Sequence, residues 1–267
     1  LGISSYRKGN FDEAIDLFKK AVKIRERLGE EKLSLGTLNN IGAICLNQGR
    51  YTEALEYFNE CLSIHRENNN KREVALSTYN ISAVYYELKQ YDKTLSYLEE
   101  SLQLNRELKN KRKVASCLIN IGAVYSDLKE FPKALEYMKE SLGISKEIND
   151  KAELSAGNFQ LGDLYLLMEQ PNKALQHYND CLELSLSTES PIYTCHGHIG
   201  LARAYILLED YSSALKHAQK GQEIADELEL LPQQKLATEA LATIYNKTGK
   251  YKKALASHQR YKILSDS

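Results

Sequence analysis

The 267 residues are 43% hydrophobic and carry a formal net charge of −1 at pH 7. That apolar content is ample for a core, and the balanced charge gives no electrostatic reason to expect nucleic acid or an anionic membrane as partner. No apolar run approaches the length of about 18 residues that a membrane span requires, so no membrane insertion is expected within this segment.

The chain opens at Leu1-Gly2, inside a repeat and without an initiator Met. We therefore expect a piece of a longer protein, with targeting signals and any catalytic domain outside it. The repeat has a period of 40. Phe11, Tyr51, Tyr91, Phe131, Tyr211 and Tyr251 occupy one slot, with Pro171 filling the gap. Ala14, Ala54, Thr94, Ala134, Ala174, Ala214 and Ala254 occupy a second, and Gly2, Gly42, Ser82, Gly122, Gly162, Ala202 and Ala242 a third. A fixed period of this size means stacked repeats, each burying its apolar face only against its neighbours.

Taken in order, the apolar spacing predicts helices at 11–28, 32–48, 51–68, 71–88, 91–108, 111–128, 131–148, 151–168, 171–187, 191–208, 211–228, 232–248 and 251–265. In the second unit Leu35, Leu38, Ile41, Ile44 and Cys45 form one stripe, and Leu55, Phe58, Leu62 and His65 the next, with Gly49-Arg50 between. The small slots let the paired helices approach closely. Asn70, Asn110, Asp150 and Ser190 share a register suited to N-caps, and Glu73 and Glu153 lie three residues after Asn70 and Asp150, as in a capping box. Pro132, Pro171, Pro191 and Pro232 all fall at predicted helix starts. Glu229-Leu230-Leu231-Pro232 is the least regular junction. The units lie near 1–30, 31–70, 71–110, 111–150, 151–190, 191–230 and 231–267, in a single body with no linker. Cys45, Cys61, Cys117, Cys181 and Cys195 are odd in number and lack a CxxC, so they read as buried free thiols. This favours a reducing, cytoplasmic setting, with a periplasmic one open to a sensor region.

Leu161-Gly162-x-x-Tyr165 followed by Ala174-x-x-x-Tyr178, and Ala54-x-x-x-Phe58, resemble the tetratricopeptide repeat pattern, with its tyrosine slot filled at Tyr85, Tyr125, Tyr165, Tyr205 and Tyr245. The resemblance covers the whole chain, but the period departs from the common form of about 34 residues. Longer units of this kind resemble the kinesin light chain repeats and the bacterial Rap-type peptide receptors. The resemblance implies an all-α fold, a right-handed superhelical solenoid of antiparallel helix pairs with an incomplete first unit. The first helices of the pairs would line a concave groove that holds peptides or helices.

No motif for chemistry is present: no phosphate-binding Gly-rich loop, no HExxH and no GxSxG. We expect neither enzymatic activity nor a cofactor. His196 and His198 are two apart and point in different directions on a helix, while His177 and His217 lie one unit apart, so no metal site is expected. The basic run Lys109–Lys113 lacks interleaved aromatics and reads as a solvated junction.

The sharper signal is an amide ladder, Asn40, Asn80, Asn120 and Gln160, two positions before the small slot. Asparagine is a mediocre helix former, and its return at one slot requires a reason. An amide offers donor and acceptor, which suits an extended peptide backbone; tying a helix to the neighbouring repeat is the alternative. Asn39-Asn40-Ile41-Gly42, Tyr79-Asn80-Ile81-Ser82 and Ile119-Asn120-Ile121-Gly122 resemble the kinesin light chain pattern, whose amides hold ligand backbone. One turn on come Ala43, Ala83, Ala123, Asp163, Arg203 and Thr243, of which Asp163 and Arg203 would bring polarity into the C-terminal half. Asn47 and Tyr86 complete the candidate groove. A chaperone-type carboxylate clamp is not expected, because its asparagine slot holds Ala43, Ala83 and Ala123. The expected function is binding of a peptide or helical segment, of another protein or of the full-length chain. The alternatives are a sensory or regulatory region of a larger bacterial signalling protein and self-assembly through the open ends.

Overall fold

The computed structural model describes residues 10–266, apart from the side chains of Glu26, Glu31 and Lys32. The slot member Gly2 lies outside the described residues. Among these there are thirteen helices and no strand: α1 (Phe11–Arg27), α2 (Glu31–Asn47), α3 (Tyr51–Glu67), α4 (Lys71–Glu87), α5 (Tyr91–Glu107), α6 (Lys111–Asp127), α7 (Phe131–Glu147), α8 (Lys151–Leu167), α9 (Pro171–Ser187), α10 (Pro191–Leu207), α11 (Tyr211–Glu227), α12 (Leu231–Lys247) and α13 (Tyr251–Asp266). Every predicted helix is present, with ends shifted by a residue at most positions.

The regularity comes from the junctions. Helices end at a residue in the left-handed region, and that residue recurs every 20 positions from Gly29 to Gly249. The Gly49 N–H donates to Leu46 O at 3.0 Å and the Arg50 N–H to Cys45 O at 2.8 Å. This pair of bonds satisfies the last carbonyls of α2 and turns the chain. The same closure follows α4, where Lys89 has φ 56° and Gln90 N–H donates to Tyr85 O at 2.9 Å. Nine of the described junctions, from Asn69 to Glu229, place a non-glycine residue there. The Glu229–Pro232 junction is regular after all, since Glu229 has φ 53° and Leu230 N–H reaches Ala225 O at 2.9 Å.

One residue serves two helices at these turns. Asn70 N–H closes α3 on His65 O at 2.9 Å, while Asn70 Oδ1 accepts the Glu73 N–H at 3.4 Å and opens α4. The Asn70 N–H is thus already in use and has no need of a returning Glu73 carboxylate. Asn110 and Asp150 cap through Lys113 N–H at 3.3 Å and Glu153 N–H at 3.2 Å. Ser190 departs from expectation: its side chain makes no capping bond, and its N–H closes the preceding helix on Ser185 O. The four prolines all sit in first turns.

Two compact units divide the chain, residues 1–117 and 118–267. In the first, Ile41, Phe58, Leu62 and Ile81 centre the core; in the second, Met138, Leu161, Leu164, Tyr178 and Leu201 do. The small slots do the work expected of them. A Cβ on Gly42 would lie 2.7 Å from the Phe58 ring, one on Gly122 2.6 Å from Met138 Cγ, and one on Gly162 2.5 Å from the Tyr178 ring. Tyr85 stacks on Tyr97 at 5.5 Å, Tyr125 on Tyr137 at 5.5 Å and Tyr165 on His177 at 5.3 Å. Lys93, Lys133 and Lys173 lie over those tyrosine rings, so the tyrosine slot ties the first helix of each pair to the second.

Within the units, the first helices of successive pairs also pack on one another, α2 with α4, and α10 with both α8 and α12. They form the inner layer on which the candidate residues lie. All five cysteines are buried and free. Burial pushes the thiols up, Cys61 and Cys181 to about 12 and Cys195 to about 11.

Candidate functional site

The repeat register places the amide ladder on the inner layer, two rungs in each unit. Asn40 is exposed, and Asn80, Asn120 and Gln160 are half-buried. Asn80 Nδ2 donates to Asn39 Oδ1 at 2.7 Å, tying α4 to α2. One rung therefore does make an inter-repeat bond, through a partner that spacing alone did not single out. Its second N–H and its own oxygen remain as further hydrogen-bonding capacity. Gln160 Oε1 is buried and accepts no hydrogen bond from any described residue. A buried amide acceptor without a donor is uncommon and costs about 1–3 kcal/mol.

Asn47 is exposed at the end of α2, and Tyr86 is half-buried with its ring tilted against Tyr91, centroids 6.2 Å apart. Near Asn39, a pocket of about 410 Å³ opens between α2, α3 and α4, lined among others by Leu33, Gly36, Asn39, His65, Asn70 and Glu73. Burial lowers the pKa of His65 there. Sequence reasoning missed this pocket because its residues belong to three helices and no one slot.

In the second unit Asp163 and Arg203 are brought together. Arg203 Nη1 donates to Asp163 Oδ1 at 2.6 Å, and both side chains remain about one-third exposed, at 36% and 32%. The Tyr178 hydroxyl donates to the same oxygen at 2.7 Å. Burial, then the Asp163 charge, hold that phenol strongly in its protonated form. Despite desolvation, the Asp163 charge and its hydrogen bond keep Arg203 raised and cationic.

The histidines form a pair that spacing did not suggest. His198 Nδ1 and His217 Nδ1 are 3.0 Å apart, one repeat beyond the Asn158–His177 contact at 2.9 Å. A neutral donor imidazole and a neutral acceptor imidazole satisfy this contact. Burial first, then the neighbouring charge of His217, push His198 down to about 4. Among the described residues no group of three or more His, Cys, Asp or Glu converges on a metal position. None of their helices is long and apolar enough to cross a membrane.

The tetratricopeptide repeat model matches residues 1–67, 33–106 and 73–147, and a second model of the same repeat matches 156–188. The chain belongs to the tetratricopeptide repeat family. No curated protein matches its sequence. Among solved structures, it is similar to aspartyl phosphate phosphatase F from Bacillus subtilis, with 15% identity, TM-score 0.81, and coverage of 100% of this chain and 68% of that one. The Rap conjugation gene regulator of plasmid pLS20, solved in complex with the Phr* peptide, is 15% identical at TM-score 0.71, covering 99% of this chain and 73% of that one. A Podosopora anserina putative kinesin light chain with TPR-like repeats is 15% identical at TM-score 0.58, covering 73% and 96%. At these identities the likeness concerns the fold, which is the all-α helix-pair repeat shared by Rap-type proteins and kinesin light chains.

Proposed function

We propose that this chain is a non-enzymatic repeat scaffold that binds a peptide or helical segment along its inner helices. The observation that carries the reading is the return of an amide at one inner-layer slot in four successive repeats, Asn40, Asn80, Asn120 and Gln160. An extended backbone presents alternating N–H and C=O groups, and the two side-chain amides that each unit offers, Asn40 with Asn80 and Asn120 with Gln160, answer both. The unpartnered Gln160 Oε1 supports it, as an acceptor suited to a ligand N–H. The peptide seated on the plasmid pLS20 Rap regulator supports it at the level of the fold. Asn47 and Tyr86 would contact ligand side chains at the ends of α2 and α4.

Replacing Asn80 and Asn120 together by Ala tests the proposal. Retention of a pool of short synthetic peptides should fall roughly thirtyfold, for two lost hydrogen bonds of about 1 kcal/mol each. Thermal stability should change little, because both amides are only half-buried, although the Asn39–Asn80 tie is among the bonds removed. A large drop in melting temperature with unchanged peptide retention would make the amides structural and overturn the reading.

A further inference from the structure

Four positions in the second unit depart from the repeat pattern, and all four meet in one network. The inner row runs Ala43, Ala83, Ala123 and then becomes Asp163 and Arg203. The amide ladder stops, with Gly200 at the next rung. The buried large slot, Phe58, Leu98 and Met138 in earlier repeats, becomes Tyr178. A Cβ on Gly200 would lie 2.4 Å from the Tyr178 ring, and one on Gly162 would lie 2.5 Å from it on the α8 side. The missing amide is thus what makes room for the tyrosine, whose hydroxyl reaches Asp163.

A half-buried ion pair of this kind is not an efficient device for stability, since desolvation offsets much of the attraction. The hydrogen bonds indicate another use. Asp163 Oδ1 accepts from both Tyr178 and Arg203, so its charge is countered twice. Arg203 makes one bond, through Nη1. Its other guanidinium N–H groups have no hydrogen-bond partner among the described residues, and the side chain keeps 36% exposure. A guanidinium held at one corner presents its planar fork, the geometry that matches a carboxylate bidentately.

We infer that Arg203, positioned by Asp163 and Tyr178, is a carboxylate anchor for the ligand of the inner face. This rests on the peptide-binding reading and names the ligand chemistry: an Asp or Glu side chain, or a free C-terminus. Arg203 touches the ligand; Asp163 and Tyr178 act through it as positioning residues.

The test is affinity selection from a pool of short synthetic peptides. Each acidic member is matched by its Asn or Gln counterpart, and each free C-terminus by its amide. The wild-type chain should retain carboxylate-bearing members roughly tenfold or more over their neutral counterparts, as expected for a hydrogen bond to a charged group. Arg203→Gln should bring that ratio near one. Arg203→Lys, which keeps charge but loses the fork, should lie between. Tyr178→Phe keeps the ring between Gly162 and Gly200 and should lower the ratio through misplaced Asp163. The pairs differing at the side chain and at the C-terminus distinguish the two sources. If Arg203→Gln does not fold, Arg203→Lys carries the test, and an unchanged ratio there overturns the inference. So does an unchanged ratio in Arg203→Gln, or a wild-type preference for basic members. Retention of neutral members without acidic preference overturns the anchor alone; retention of no peptide by the wild type overturns the peptide-binding reading and the anchor with it.

Discussion

Two glycines in neighbouring helices should respond to the same substitution with opposite sign. Gly143 lies inside α7, and a Cβ there meets nothing within 4 Å. Gly143→Ala should remove backbone entropy from the unfolded chain and stabilise by about 0.5–1 kcal/mol. Gly162 in α8 gains the same helical preference, but its Cβ would come within 2.5 Å of the Tyr178 ring. That ring cannot retreat, because Gly200 faces it at a would-be 2.4 Å and its hydroxyl is held by Asp163 at 2.7 Å. The overpacking cost is therefore at the upper end of roughly 1–3 kcal/mol, leaving a net loss of about 2 kcal/mol. Thermal unfolding followed by circular dichroism should show Gly143→Ala melting about 1–4 °C higher and Gly162→Ala about 4–8 °C lower than wild type. A Gly162→Ala variant as stable as wild type, or a destabilised Gly143→Ala, would refute close packing at the small slot as the basis of the helix pairing.

Burial lowers the pKa of His177, His196, His198 and His217. The folded state holds them neutral, so the unfolded chain binds more protons as pH falls below the ordinary histidine value. Stability should be complete above about pH 6.5 and decline toward about pH 4, the value for His198. His198→Asn, which copies the Asn158–His177 contact one repeat earlier, should flatten part of that decline in a pH series of melting temperatures. At the α10–α11 junction, Glu209 has φ 60°. Glu209→Gly should raise stability by about 1 kcal/mol, measured by urea unfolding, because glycine occupies the left-handed region without the Cβ penalty.

The fold was legible because packing acts locally and repeats. Gly42, Gly122 and Gly162 recur at the spacing at which a side chain from the paired helix crosses, so their register reveals the pairing. The 20-residue beat of the turns was less legible: Lys89, Lys109, Glu169 and Glu209 carry no left-handed signature, and the bonds that hold them there are backbone bonds. Asn80 and Asn120 in one slot, and Asp163 and Arg203 in another, could be marked by slot, since a slot fixes a face. Which side chains meet could not be. Asn39 beside Asn80, His217 beside His198 and Tyr178 beneath Asp163 join different slots on different helices, with separations of 41, 19 and 15 residues. Ser190 has the residue type of a cap, but backbone closure of the preceding helix already fixes its junction.

Photo-crosslinking shows whether the inner helices receive a peptide. A photo-reactive amino acid replaces either Glu87, exposed at the end of first helix α4, or Gln103, exposed on second helix α5. Each variant is irradiated with the same pool of short synthetic peptides. Peptide should be captured at position 87, and this capture should be lost when Asn80 and Asn120 are replaced by Ala. Equal capture at positions 87 and 103, or capture at 103 alone, would contradict that placement.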